Sequence, residues 1–144
     1  MTLQGTINHI ALTVSNLDEA MTFFDPFLSA FGFTVSKPAL YNGTRLCVNI
    51  NENNGIAINL WEAKKNHFFD IYEPGLHHLA LNAGSKSQVD DVASLAKTLG
   101  ATILEGPAEF PFAQGGYYAV YFTGPDNLKF EVVYMRTLDK TVLQ

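Results

Sequence analysis

The stretch NHIALTV at residues 8–14 returns in a related form, HHLALNA, at residues 77–83. Self-similarity between two halves of a chain indicates a duplicated structural unit. Within the first copy, Ile10, Leu12 and Val14 alternate with residues of a different character. This spacing predicts a strand that places one face against an apolar layer. Each half of the protein should therefore open on a β-strand.

The ends of the two halves also match, because INLW, which contains Asn59, corresponds to FEVV, which contains Glu131. In the same alignment His9 is equivalent to His78. Two histidines and one carboxylate thus occupy related positions in two related modules. Such a set could form a metal site.

The composition is that of a globular protein, with 47% hydrophobic and 16% charged residues in a chain of 144. A formal net charge of −5 without any Lys/Arg cluster argues against nucleic acid as a partner. No stretch approaches the roughly 20 apolar residues that a membrane span needs. Cys47 is the only cysteine, which fits a reducing compartment. We expect a cytoplasmic protein that binds a small molecule, and neither a membrane nor nucleic acid as its partner.

The first module, about residues 5–62, is predicted to contain one strand, one helix and three further strands. Ser15-Asn16 is the expected N-cap of the helix and Gly32 its end. Pro26 is expected to kink or split this helix near Asp25. The three further strands are predicted at residues 33–35, 45–50 and 56–61, and a linker at 63–75.

The second module, about residues 76–136, repeats this order. Its helix is expected to be capped by Ser87 and to be followed by Gly100. Residues 105–116 are predicted to be a loop and a candidate lid. The four strands are predicted at residues 76–83, 102–104, 117–123 and 129–135. The two modules together are expected to form a single domain, residues 1–144.

The alternation of side chains along strands decides which residues can meet. His9, His78 and Glu131 all lie opposite the apolar face of their strands, so they should point away from the helices. The polar alternation on the strand at 45–50 predicts that Arg45, Cys47 and Asn49 join this face, as Asn59 and Trp61 do. A polar sheet face of this kind predicts a lined cavity.

Two imidazoles and one carboxylate are a suitable ligand set for one divalent ion such as Fe, Mn, Ni, Co or Zn. Open coordination positions would let a substrate chelate the ion through its oxygens, and the ion would polarise a carbonyl. Arg45 is the candidate for binding an anionic substrate group, because guanidinium binds carboxylates in a bidentate manner. Tyr121 and Trp61 are further candidates for the lining of the substrate site.

Three motifs resemble the vicinal oxygen chelate superfamily, which includes glyoxalase I, fosfomycin-resistance enzymes, extradiol dioxygenases and bleomycin-binding proteins. They are HIALTVSNL at residues 9–17, GLHHLAL at 75–81 and FTGPDNLKFE at 122–131. The resemblance implies an α+β fold in which two βαβββ modules form a cup-shaped mixed sheet with the helices on the outside. It also implies metal ligands at His9, His78 and Glu131, and a homodimer.

The sequence departs from glyoxalase I at two positions of this resemblance. Asn59 stands where a second acidic ligand is usual, and Thr13 where an arginine holds glutathione. We therefore expect a metal-dependent glyoxalase-like enzyme that is not a standard glutathione-dependent glyoxalase I. Its reaction would be a lyase- or isomerase-type proton transfer beside a carbonyl, with Glu131 as the catalytic group and Asn59 beside the substrate.

Two alternatives remain open at the level of the sequence. Two histidines and one carboxylate are also the ligand set of non-haem Fe(II) enzymes, so an extradiol-type dioxygenase is possible. A non-catalytic drug-binding protein of the bleomycin-resistance type is the other alternative, since the eleven Phe and six Tyr residues could line an apolar pocket.

Overall fold

The computed structural model describes residue 1 and residues 4–136. The predicted domain end at residue 144 lies outside the described residues. The chain divides into two compact units, Met1–His67 and Phe68–Gln144. The boundary falls within the segment that the sequence predicts as a linker.

The first unit contains a four-stranded mixed sheet in the order β1-β4-β3-β2, in which β1 and β4 are parallel and the other pairs antiparallel. Its elements are β1 (His9–Val14), α1 (Leu17–Ala30), β2 (Ala39–Tyr41), β3 (Thr44–Asn51) and β4 (Ile56–Glu62).

The second unit repeats this topology, with the strand order β5-β8-β7-β6 and a parallel pair β5–β8. Its elements are β5 (Leu79–Asn82), α2 (Lys86–Thr98), β6 (Thr102–Glu109), β7 (Tyr117–Thr123) and β8 (Lys129–Met135). A 3-10 turn at Pro125–Asn127 joins the last two strands. The prediction of an α+β fold made of two βαβββ modules is confirmed.

Each helix packs on one face of its own sheet. The helix α1 begins at the N-cap Asn16, whose side chain accepts a hydrogen bond from the Glu19 amide, and continues without a break through Pro26. The predicted split near Asp25 is therefore wrong. Proline removes only one backbone hydrogen bond, whereas the buried aromatic side chains on both sides of it, such as Phe23 and Phe27, hold the helix against the sheet.

The helix α2 begins two residues earlier than the sequence predicts. Its N-cap is Ser85, not Ser87, because Ser85 Oγ accepts a hydrogen bond from the Gln88 amide. The Gln88 side chain in turn accepts one from the Gly84 amide at 2.6 Å. Ser85 and Gln88 thus form a better S-x-x-Q capping pair than Ser87 and its partner Asp90.

The second strand of the first unit is also displaced from its predicted position. Residues 33–35 contribute only an isolated bridge between Thr34 and Ile50, and the strand is β2. The two-residue turn Asn42-Gly43, with φ values of 47° and 75°, joins β2 to β3. Both φ values are positive, as a tight type I′ hairpin requires, so the turn selects which segment pairs with β3.

The predicted loop at 105–116 is shorter than expected, because β6 runs on to Glu109. Register shifts between Ile103, Glu105 and Ala108 accommodate the extra residues against β7. Pro107 is tolerated there because β6 is an edge strand. Gly106 has a φ of 79°, and a Cβ at this position would collide with the Ala119 carbonyl oxygen. The loop itself is confined to residues 110–116.

The predicted orientation of Arg45, Cys47 and Asn49 is wrong. Cys47 pairs in register with Leu60, which is buried on the face that α1 covers. Arg45 contacts Asp18 in α1, on the same face. The strand β3 therefore turns its polar side chains toward the helix, where Asn49 is fully buried and its amide donates to the Ile58 carbonyl at 3.1 Å.

Candidate functional site

The second unit brings His78 and Glu131 together. Glu131 lies near the start of β8, pairs in register with Ala80 of β5 and is only 2% exposed. His78 immediately precedes β5, so its side chain reaches the same face, and its Nε2 lies 3.1 Å from Glu131 Oε2. This face is opposite α2, as the alternation of the sequence predicts. A buried carboxylate is costly unless it is paired or hydrogen-bonded.

The other carboxylate oxygen of Glu131 is bound by two tyrosines of β7. Tyr121, its cross-strand neighbour, donates from its hydroxyl to Oε1 at 2.8 Å, and Tyr117 donates to the same oxygen. Burial, together with the nearby carboxylate, raises the pKa of Tyr117 to about 12. The same causes raise the pKa of Tyr121 well above its usual range. Both phenols therefore stay protonated at neutral pH and serve as hydrogen-bond donors to the Glu131 carboxyl group.

A ring cluster continues this wall. Phe110 and Phe112 are stacked with ring centroids 5.5 Å apart. Phe110 forms a T-shaped pair with Tyr121 at a centroid distance of 5.4 Å, and Phe112 forms one with Tyr117 at 5.3 Å. Both phenylalanines belong to the loop that the sequence predicts as a candidate lid. A cleft of about 620 Å³ is bordered by Tyr117, Tyr118, Lys86 and Glu109, but its lining does not include Glu131, His78 or Tyr121.

His77 contacts His78 directly. The two Nδ1 atoms lie 2.7 Å apart, so one ring donates a hydrogen bond to the other. If Nε2 of His78 is to bind a cation through its lone pair, its proton must be on Nδ1, and His77 is then the acceptor. Desolvation, with a smaller effect from Lys129 and His78, lowers the pKa of His77. A neutral His77 can accept this hydrogen bond.

The remaining predicted site residues belong to the first unit. His9 is exposed, and its Nδ1 lies 2.7 Å from Asn8 Oδ1. Asn59 Oδ1 is buried and has no hydrogen-bond partner among the described residues. Trp61 is predicted to share the face of Asn59. The centroid of its ring lies 6.2 Å from that of the Tyr41 ring. An orphaned buried carbonyl oxygen such as that of Asn59 can bind a cation through a lone pair or accept a hydrogen bond from a donor group.

Arg45 is engaged elsewhere in the first unit. Its guanidinium forms an ion pair with Asp18 at 2.6 Å and contacts Glu62 at 3.2 Å. Glu62 Oε2 also accepts from the Leu17 amide at the start of α1. Arg45 therefore fastens the helix to the sheet, and the proposed substrate site excludes it.

The donor chemistry in the second unit fits a divalent ion. Two ligands that are each about 2.1 Å from one ion and at right angles to each other are about 3.0 Å apart. The 3.1 Å between His78 Nε2 and Glu131 Oε2 is close to this separation. No group of three or more His, Cys, Asp or Glu side chains within the described ranges is arranged to hold a metal. The role of His9 as the third ligand stays a prediction.

Tyr117 and Lys129 are not among the site residues that the sequence predicts. A signal for Tyr117 was present, because Tyr117 and Tyr121 are four residues apart on one strand and must share a face. Lys129 is likewise two residues from Glu131 on β8, so it lies on the same face. Residue type alone does not assign Tyr117 to the site, since tyrosines on strands are usually packing residues.

A family model matches residues 6–132 of the chain, and it describes the Glyoxalase/Bleomycin resistance protein/Dioxygenase superfamily. The chain belongs to this superfamily. It is 31% identical over 143 residues to the uncharacterized protein YqjT of Bacillus subtilis (strain 168), covering 88% of this chain and 97% of that protein. This relative is uncharacterized and does not indicate a reaction.

Solved structures of the superfamily support the same fold. A glyoxylase/bleomycin resistance protein/dioxygenase domain from Frankia sp. EAN1pec matches with a TM-score of 0.77 at 24% identity, covering 94% of this chain and all of that one. A variant of the fosfomycin resistance protein FosX from Listeria monocytogenes matches with a TM-score of 0.69 at 21% identity, covering 95% and 96%. The FosX variant is in complex with Mn(II) and 1S,2S-dihydroxypropylphosphonic acid. No helix of the described residues is long and apolar enough to cross a membrane.

Proposed function

We propose that the protein is a divalent-metal-dependent enzyme of the glyoxalase-like type, which transfers a proton beside the carbonyl of a small substrate. The observation that carries the proposal is the buried Glu131 carboxylate, which has an imidazole on one oxygen and two phenol hydroxyls on the other. Such an arrangement holds an ionised acid in a fixed orientation, which a proton-transfer site requires. The superfamily includes many metal-dependent enzymes, and its fold is present here.

His78 and Glu131 would hold the ion, with His9 as the predicted third ligand. Asn59, whose buried Oδ1 has no hydrogen-bond partner among the described residues, stays a predicted substrate-binding residue. When bound, a divalent ion would polarise a substrate carbonyl and lower the pKa of the adjacent C–H bond. Fe, Mn, Ni, Co and Zn are all compatible with imidazole and carboxylate ligands.

The chain's own residues supply the proton transfer. Glu131 would accept the proton from the carbon that bears the hydroxyl group and return it to the former carbonyl carbon. The hydroxyl proton passes to the former carbonyl oxygen, so the α-hydroxycarbonyl substrate is isomerised with no net gain or loss of protons. Tyr121 and Tyr117 orient this carboxylate by donating to Oε1. Because Asn59 stands where a second acidic residue would serve as a base, Glu131 is the one candidate base at the two equivalent positions.

The first test is metal uptake by the purified protein. We expect about one Mn(II) or comparable ion per chain, and loss of this uptake in His78→Ala and Glu131→Gln. Glu52→Gln is the matched control, since Glu52 is an exposed carboxylate in the turn between β3 and β4. A wild-type protein that takes up no stoichiometric divalent ion would favour the drug-binding alternative.

The second test is exchange of the substrate's C–H proton in D₂O, followed by NMR on α-hydroxycarbonyl compounds such as hydroxyacetone. We expect faster exchange with the wild type than with Glu131→Gln. Oxygen uptake in the presence of catechols, without such exchange, would favour the dioxygenase alternative. Location in the cytoplasm and a homodimeric state stay predictions, to be checked by cell fractionation and by light scattering.

A further inference from the structure

Lys129 places a positive charge beside the proposed site. It is half-buried and lies on the same face of β8 as Glu131, two residues away. Its Nζ is 5.4 Å from the centroid of the Tyr121 ring and lies over it. Since the hydroxyl of this same ring donates to Glu131, the ammonium is next to the wall of the site.

The ammonium of Lys129 has no acidic partner among the described residues. The ion pairs there engage Arg45, His78 and Lys86, but not Lys129. By contrast, Lys86 also lies over a tyrosine ring and is paired with Glu109. A half-buried ammonium that lies over an aromatic ring and forms no ion pair with a described acid has hydrogen-bonding capacity left for an anion.

The positive charge of Lys129 also offsets the negative charge of Glu131. A buried carboxylate repels any substrate that carries a negative charge, and the repulsion is strong where water is excluded. An ammonium on the same face offsets it and offers donors to carboxylate or phosphate oxygens. A neutral substrate would need neither.

We propose that Lys129 binds an oxyanion, either carboxylate or phosphate, of the substrate, so that the substrates are anionic α-hydroxycarbonyl compounds. This inference rests on the proposed function for the class of reaction, and adds the charge of the substrate and the residue that selects it. Lys129 is thus a specificity-determining residue. If Lys129 only packed on the Tyr121 ring, its removal would weaken the binding of neutral and anionic compounds alike.

The test compares two pairs of ligands that differ by one anionic group. Dihydroxyacetone is compared with dihydroxyacetone phosphate, and hydroxyacetone with hydroxypyruvate, by calorimetric titration of the Mn(II)-incubated protein. We expect the wild type to prefer the anionic member of at least one pair by about tenfold or more, as a charge-assisted contact gives. The pair that shows the preference identifies phosphate or carboxylate as the oxyanion.

Lys129→Met should abolish this preference while leaving the affinity for the neutral member within a factor of about two. Lys129→Arg should retain part of it, because the charge is kept. Lys97→Met is the matched control, since Lys97 is an exposed lysine in the last turn of α2 and its removal should change nothing. Thermal unfolding of each variant shows whether a loss arises from misfolding.

An absence of preference in the wild type, or an equal loss for both members of a pair in Lys129→Met, would overturn the inference. These outcomes can be distinguished from a failure of the proposed function, which is tested by Mn(II) uptake and proton exchange. Titration with inorganic phosphate in the absence of Mn(II) tests Lys129 even if no metal binds. Weaker phosphate binding by Lys129→Met than by Lys97→Met supports the inference, and equal binding contradicts it.

Discussion

Glu131 Oε2 lies 3.1 Å from His78 Nε2, although the two residues come from separate segments of the second unit. The parallel pairing of β5 with β8 creates this contact, because it places Ala80 opposite Glu131 and so brings the residue two positions earlier to the same face. The contact joins the two groups on which the proposed chemistry depends.

Replacing the charge of Glu131 while keeping its shape should separate metal binding from folding. In Glu131→Gln, the amide oxygen can still accept from Tyr117 and Tyr121, so the protein should remain folded. The loss of an anionic ligand should weaken Mn(II) binding by on the order of 100-fold or more. Calorimetric titration with Mn(II) measures this, and unchanged affinity would contradict the assignment of Glu131 as a ligand.

Removing the Tyr121 hydroxyl should destabilise the protein. Tyr121→Phe keeps the ring contacts with Phe110 but takes one donor from a buried carboxylate, which typically costs about 1–3 kcal/mol. The free energy of unfolding in urea is the measurement. Tyr72→Phe is the control, since Tyr72 is 81% exposed, and a similar loss there would refute the explanation.

His77 should control the orientation and tautomer of His78. In His77→Ala the acceptor for the Nδ1 proton is lost, and we expect Mn(II) affinity to fall by about 10- to 100-fold without loss of the fold. Nitrogen-15 NMR of the His78 ring should show a mixture of tautomers in the variant. His67→Ala, which changes an exposed histidine, should leave both readouts at their wild-type values.

The Asp18–Arg45 ion pair should make stability depend on pH in the acidic range. The hydrogen bond from Arg45, which is the main cause, lowers the pKa of Asp18 below its ordinary value of 3.8. A carboxyl whose pKa is lower in the folded state stabilises the protein above its unfolded-state pKa, and this contribution is lost as the pH falls through the folded-state value. The advantage of the wild type over Asp18→Asn should therefore be present at pH 7 and vanish near pH 2.

Urea unfolding at these two pH values measures the effect. The size of the difference should be small, because both side chains are exposed and solvent screens the pair. Glu19→Gln removes a carboxylate from the same first turn of α1 without touching Arg45, and it reports the contribution of the helix dipole alone. An equal pH dependence in Glu19→Gln would argue against the ion pair as the cause.

Gly106 should be the least replaceable of the glycines with positive φ in the second unit. Gly106→Ala combines a left-handed backbone with a collision against the Ala119 carbonyl, so we expect a loss of about 2 kcal/mol or more. Gly43→Ala has a similar φ but open space around its Cβ, and should cost only about 1 kcal/mol. Equal losses in urea unfolding would mean that the collision relaxes freely.

The sequence predicted the order of elements and the face of Glu131 and His78 because both follow from local periodicity. The predictions failed where a turn or a bulge, and not the pattern of apolar residues, decides the position of a strand. The placement of β2 depends on the Asn42-Gly43 turn, and the length of β6 on bulges around Gly106, neither of which shows in a pattern of apolar residues.

The face of Arg45 could not be predicted from alternation alone. On β3, polar and apolar side chains alternate, and the usual expectation is that apolar ones turn toward the helix. Here Asn49 and Asn51 are buried instead, because they donate to the carbonyls of Ile58 and Phe31. Hydrogen bonds between distant segments decide this orientation, and a sequence alone does not list them.

Because the two sheets share one strand order, equivalent positions of the two modules can be compared. Asn59 in β4 and Glu131 in β8 occupy equivalent positions, each beside a parallel neighbour, yet only the second carries a charge. The second module alone supplies an acid at this position. A single substitution of Asn59 by an acidic residue would place a second carboxylate at the equivalent position of the first module, with the strand pairing unchanged.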